Sequence, residues 1–357
     1  MMASRRRIEK MKLGVLIGYS GGSMDIGLDH VKEAEAMGYE SAWTAEAYGS
    51  DAVTPAAWVL ANTTKIKVGT AIMQLPARSP AATAMTAMTL DALSGGRFIL
   101  GLGPSGPQVA EGWHGVPYGK PLTKMREYVT IVRQILERKG PLVFQGEEYQ
   151  IPNTGPGTTG LGKPLKSILH GDPSLKIYSA SITPGGVRTA AELFDGFFPI
   201  WMNPGKISIF KDNLLDGFAK AGNNKSLADF DVAPFVTIVE GDDIDKCRDQ
   251  VRPGMALYIG GMGAKGKNFY NDYCKRLGYE DAAVKIQDAF LDGRRDEAMA
   301  AIPDALIDDV ALCGNIDRIK GGLEVWKEAG KKKEVGSMLL GNRDKRVLKL
   351  LAEEMLS

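Results

Sequence analysis

The chain has 357 residues, 44% of them hydrophobic, and a formal net charge of +1. That length sustains one large core or two smaller ones, and so even a charge balance leaves no electrostatic footprint for nucleic acid. No apolar run reaches the roughly 18 residues of a membrane span, and Cys247, Cys274 and Cys313 are too few and too scattered for a disulfide framework or a zinc pattern.

Residues 1–11 read as a flexible basic arm carrying Arg5, Arg6, Arg7 and Lys10. No apolar core follows it that would make a signal peptide, and the reading places the protein in the cytoplasm. "KLGVLIGY" (12–19) then predicts a buried strand, and "DIGLDHVKEAEAMG" a helix stopped by Gly38. Strands over 39–46, 65–73 and 97–103 alternate with helices over "DAVTPAAWVLANTT" and 79–96. "TKMREYVTIVRQILERKG" is an amphipathic helix with Met125, Tyr128, Val129, Val132 and Leu136 on one stripe. "LVFQGEEYQIPN" alternates like a small hairpin, and no helix pattern is legible between residue 104 and about 122. The rhythm resumes with "SLKIYSAS", "TPGGVRTAAELF", "DGFFPIWM", "PGKISIFKDNLLDGFAKAG" and "FDVAPFVTIVEG". Residues 243–330 read as helical throughout, before a last strand over 335–341 and a last helix, "NRDKRVLKLLAEEM". Eight strands alternating with helices, with no break in composition, predict α/β architecture: a single (β/α)8 TIM barrel over 12–357, with insertions after strands 4 and 7.

Gly101, Gly103 and Gly106 spell G-x-G-x-x-G. A dinucleotide fingerprint needs its third glycine inside the start of a helix, after the first strand of a βαβ pair. Here Pro104 and Pro107 bracket Gly106, and the strand is the fourth. On a barrel, glycines at this end of a strand let backbone approach a flat ligand at the active face. Ser105 in "GPSGP" does not match a nucleophile elbow, which sets a serine hydrolase aside. His30, His114 and His170 are not at metal-ligand spacing, so no metal is expected.

The stretch "LDALSGGRFILGLGPSGPQVAEGWHG" resembles the strand-four signature of the bacterial luciferase-like family. "KMREYVTIVRQIL", "IYSASITPGGVRTAAELFDGFFP", "YESAWTAE" and "VGTAIMQLPARSP" extend that resemblance from about residue 12 to 345. "SGPQVAEGWHG" and "GGMGAKGKNFYNDY" resemble its branch that depends on the deazaflavin coenzyme F420, the methylenetetrahydromethanopterin reductase-like one. The resemblance implies a cofactor lying across the strand C-termini of the barrel, a small-molecule substrate above it, and a homodimer. It implies a non-prolyl cis peptide at Ala71–Ile72, with Met73, Gly103, Ser105 and Gly106 also beside the ring. It implies a phosphate loop of Ser181, Thr183, Pro184, Gly185, Gly186 and Val187. That loop also has its own physical reading. Thr183 caps a helix whose first residue is Pro184, which leaves the N–H groups of Gly185, Gly186 and Val187 pointing outward as an anion site. An ordinary capped helix is the alternative.

Two residues are the candidates for acid–base work. Glu46 ends strand two, where relatives often read Asp-His and this chain reads Glu46-Ala47. It serves as a proton donor or acceptor, a holder of the ring, or a structural carboxylate. The histidine and glutamate of the sugar-phosphate dehydrogenase branch are not matched, which argues against that substrate class. His114, near Glu111 and Trp113 on the strand-four loop, brings an imidazole to the active face, with a solvated loop histidine as the alternative. Trp43 and Trp201 read as packing, and Lys265 and Lys267 either meet the acidic tail of F420 or stay solvated. The function expected is hydride transfer between F420 and a small organic substrate. The rivals are an FMN-dependent monooxygenase, a non-catalytic F420 carrier, and an unrelated barrel enzyme that uses only the phosphate loop.

Overall fold

The structure, a computed structural model, describes residues 11–263 and 265–356. The basic arm lies outside the described residues apart from Met11. Eight strands form the frame: β1 Lys12–Gly18, β2 Ser41–Thr44, β3 Lys67–Thr70, β4 Phe98–Gly103, β5 Ile177–Ala180, β6 Gly196–Phe198, β7 Phe235–Glu240 and β8 Ser337–Leu340. From β8 through β1 to β6 neighbouring strands pair in parallel, and β7 pairs with β8. The chain just before β7 pairs with β6, Asp231 opposite Gly196, and Ile200 bridges to Phe235. The result is a curled parallel sheet with helices between its strands, a TIM-barrel-like α/β fold.

Alternation along the strands sorts the side chains into two layers. Ala42, Phe98, Leu100, Ile177, Phe197, Met338 and Leu340 pack in the large outer core, against the helices. Their neighbours Trp43, Ile99, Tyr178, Phe198 and Leu339 form a separate inner cluster. This is the period of two that a strand buried on both faces requires. Inside, Phe198 is the hub, with ring centroids 5.0 Å from Trp43, 5.4 Å from Tyr178 and 5.5 Å from Phe235. Truncating so buried an aromatic costs about 3–5 kcal/mol.

Two sequence expectations need correction. A short helix, Pro107–Gly112, follows Gly106 where no helix was legible. Six residues are too few to show a period, and Pro107 at its first position supplies a preset φ. Within 243–330, Ala311–Gly314 is a strand paired with Thr237–Glu240. That pairing is a long-range contact, and four residues of "ALCG" carry no alternation that would announce it. The hairpin is present, Phe144–Gln145 against Gln150–Ile151. Among the described residues no helix is long and apolar enough to cross a membrane.

Candidate cofactor and substrate site

The glycines of β4 serve close approach between strands. A Cβ on Gly101 would sit 1.7 Å from the carbonyl oxygen of Thr70, so no side chain fits. Thr70 Oγ1 donates to Gly101 O at 2.8 Å and accepts from Gly101 N at 2.9 Å, locking the ends of β3 and β4 together. The next peptide, Ala71–Ile72, is cis. Beyond it Met73 and Gln74 pair with Leu102 and Gly103, and a Cβ on Gly103 would meet Ile72 Cδ1 at 2.3 Å. Ile72 therefore lies over a position that only glycine leaves open. Ser105 turns the chain with φ +61°, a left-handed conformation uncommon outside glycine, and its carbonyl accepts from the Tyr118 hydroxyl at 3.4 Å. Gly106 caps the short helix that follows.

Glu46 is buried and fully engaged. Its Oε2 accepts from Ala52 N at 3.0 Å, and its Oε1 accepts from Gln74 N at 2.8 Å and from Arg78 at 2.6 Å. The Gln74 amide donates back to Glu46 O at 3.0 Å, which turns its Oε1 toward His114 Nε2, also at 3.0 Å. An amide oxygen only accepts, so Nε2 carries the proton and Nδ1 of a neutral His114 is left as the basic nitrogen. The structure thus links both acid–base candidates through Gln74. Neither Gln74 nor Arg78 was singled out from the sequence, although both stand in the quoted "VGTAIMQLPARSP".

The Thr183 cap forms as the sequence reading expects, but the N–H groups it was to leave free do not all stay free. Thr183 N-caps the helix Pro184–Leu193, accepting from Gly186 N at 3.2 Å. Val187 N donates to Thr183 O at 2.9 Å. Two of the three N–H groups expected to be free are therefore occupied by the cap itself, and among the described residues only that of Gly185 has no partner. A Cβ on Gly186 would meet Ser181 Oγ at 3.0 Å and Thr183 Oγ1 at 2.9 Å, so the floor of the loop is closed to side chains. The Ser181 hydroxyl pairs with Ser179 at 3.1 Å and has capacity for a second bond. A free N–H on a helix's positive end beside two hydroxyls fits the phosphate of a cofactor.

Aromatic side chains gather beyond the strand ends. Trp201 is 5.9 Å from both Tyr258 and Tyr270, ring to ring, and the latter two are 4.8 Å apart. Burial pushes both phenols above their ordinary pKa, so they stay neutral donors. Trp43 sits in the inner core, as expected, whereas Trp113 is exposed. Glu111, at the surface, accepts from Tyr118 N at 3.3 Å. Lys265 pairs with Asp288 at 2.5 Å.

A curled parallel sheet with helices between its strands, close-approach glycines on β4 and a capped helix start beyond β5 defines the class: a TIM-barrel-like α/β protein. The particular family follows from comparison. The model of the luciferase-like monooxygenase family matches residues 11–333, and the chain belongs to that family. A Mycobacterium tuberculosis protein provisionally named a coenzyme F420-dependent oxidoreductase is 44% identical over 90% of this chain and 93% of its own. The 5,10-methylenetetrahydromethanopterin reductase of Archaeoglobus fulgidus is 28% identical over 92% and 93%. Among solved structures, the coenzyme F420-dependent tetrahydromethanopterin reductase of Methanopyrus kandleri superposes with a TM-score of 0.76. It is 24% identical, and the match covers 97% of this chain and 99% of that one.

Proposed function

We propose that this protein is an F420-dependent oxidoreductase that moves a hydride between the deazaflavin ring and a small organic substrate. The observation that carries the reading is the pairing of the glycine-backed Ala71–Ile72 segment with the Thr183–Gly186 loop, at the same end of the sheet and in a chain 44% identical to a protein with that provisional name. When bound, F420 supplies the hydride donor or acceptor. Ser181, Thr183 and Gly185 would hold its phosphate, with Pro184, Gly186 and Val187 shaping the turn. Ala71, Ile72, Met73, Gly103, Ser105 and Gly106 flank its ring.

The protein's own residues orient the reactants and handle the proton. Glu46 has both carboxylate oxygens occupied, so its part is positioning: it anchors Gln74 and Arg78 below the site. Gln74 fixes the imidazole of His114, whose Nδ1 takes or returns a proton when the substrate needs one. Trp201, Tyr258 and Tyr270 exclude water over the strand ends. The curled sheet is read as a closed (β/α)8 barrel in which residues 231–240 form the seventh strand, within one domain over 12–357. A cytoplasmic homodimer completes the reading.

Separate fluorescence titrations of the protein with F420 and with FMN test it. Tight binding of F420 alone is the expected result. Tight binding of FMN in its place would move the protein to oxygen chemistry.

A further inference from the structure

Arg276 ends the helix Phe269–Arg276, in the insertion after β7, and reaches 94 residues back along the chain. Its Nη2 donates to the carbonyl of Ile182 at 2.6 Å, and its guanidinium lies over the Tyr273 ring at 5.2 Å. Ile182 immediately precedes Thr183, the cap of the phosphate-loop helix. The guanidinium is therefore stationed beside the positive end of that helix.

Its surroundings differ from those of the ion-paired arginines on the frame, and from Arg97, which fills its donors with backbone carbonyls and the Thr63 hydroxyl. Arg78, Arg126 and Arg133 each face a carboxylate, at 2.6, 2.5 and 2.5 Å. Among the described residues no carboxylate lies within ion-pair distance of Arg276. Burial lowers its pKa below the ordinary arginine value, while the nearby Tyr273 and Asp272 pull it back up. A partly desolvated cation next to a helix N-terminus puts two positive potentials together, and an anion placed between them relieves both. One carbonyl takes one of the five guanidinium N–H donors, which leaves a fork for a phosphate or carboxylate.

We infer that Arg276 is the cationic contact for the anionic arm of the cofactor, completing from the outer insertion a site that the loop after β5 begins. The inference rests on the F420 reading. Two groups on that arm share the required chemistry, the phosphodiester and the carboxylates of the oligoglutamyl tail. It also gives the insertion a role: occupancy of the loop ties it down over the strand ends.

The test is a fluorescence titration of wild type, Arg276→Met and Arg276→Lys with three ligands. They are F420, its form without glutamates, and the deazaflavin chromophore that lacks the phosphate. Arg276→Met is expected to bind F420 at least about tenfold more weakly, the size of a charge-assisted contact. It should bind the phosphate-free chromophore as wild type does, and Arg276→Lys should recover part of the loss. The same loss with the glutamate-free form assigns the contact to the phosphodiester; a loss confined to F420 assigns it to the tail. Unchanged F420 affinity in Arg276→Met overturns the inference. So does an equal loss on the phosphate-free chromophore, which marks Arg276 as a buttress of Ile182. If wild type itself binds no F420, the F420 reading fails, a result distinct from either.

Discussion

The two ends of the curled sheet treat their polar groups in opposite ways. At the N-terminal end, Arg97 donates to the carbonyls of Leu60, Thr63, Ile66 and Ser94 and to the Thr63 hydroxyl. Arg133 binds Leu175 O and the Asp195 carboxylate, which also accepts from Ile177 N. One oxygen of Glu35 accepts the N–H groups of Thr64, Lys65 and Ile66. Asp231 is the exception, with Oδ2 bound to Tyr178 and Ser337 while the buried Oδ1 has no partner among the described residues. At the C-terminal end, among the described residues the N–H of Gly185 has no protein partner and the guanidinium of Arg276 meets a carbonyl but no carboxylate, and the backbone turns through a left-handed Ser105. One end ties most of its polar groups in its own hydrogen bonds and holds the strands in register, around a cavity of about 270 Å³ lined by Lys12, Tyr178, Asp195 and Asp231. The other keeps donors in reserve, as a ligand-binding end does.

Substitutions at the two ends should therefore fail differently. The largest effect falls at the N-terminal end: Arg97→Met leaves several buried carbonyls unsatisfied and should cost about 3 kcal/mol of stability in a denaturant titration. Its affinity for F420 should stay within twofold of wild type. Gly185→Asp reverses that signature. A carboxylate beside the free N–H and the helix dipole repels the phosphate and should weaken F420 binding about thirtyfold with little change in Tm. Unchanged affinity there would remove the phosphate assignment.

Smaller effects come from titrating groups at the N-terminal end. Burial raises the Glu35 carboxyl, but three backbone donors and Arg97 outweigh it and hold its pKa below the ordinary value. A depressed carboxylate stabilises the fold above its unfolded pKa and loses that contribution as pH falls through the folded one. Glu35→Gln should thus cost about 1 kcal/mol at pH 7 and less at pH 3, read from Tm at both. Burial lowers Lys225 to about 8, with its Nζ on Phe194 O and over the Phe230 ring. Folding opposes its charged form, so wild type gains stability as pH rises from about 8 toward the unfolded lysine value. Lys225→Met lacks that gain, and the difference in Tm between the two proteins should shift in favour of wild type between pH 7 and pH 10.

The contrast between the ends also explains what the sequence let through. Strand alternation, the Thr183–Pro184 cap and the paired glycines of β4 are local patterns, and each appears in the structure where its letters stand. The polar links are not local. Gln74 meets Glu46 from 28 residues away and His114 from 40, and Arg276 meets Ile182 from 94. No periodicity marks such partners, because the fold alone brings them together. The same limit explains the miscount of free N–H groups on the phosphate loop. Thr183 was legible as a cap, but which donors it and its carbonyl would occupy depends on the turn geometry.

Amide hydrogen exchange with and without saturating F420 tests the central claim most directly, because it reads both ends of the sheet at once. Protection should rise at Gly103–Gly106 and Ser181–Val187 and stay unchanged at Thr64–Ile66 and Arg97. No added protection at 181–187, or protection gained at the N-terminal end instead, would contradict the account.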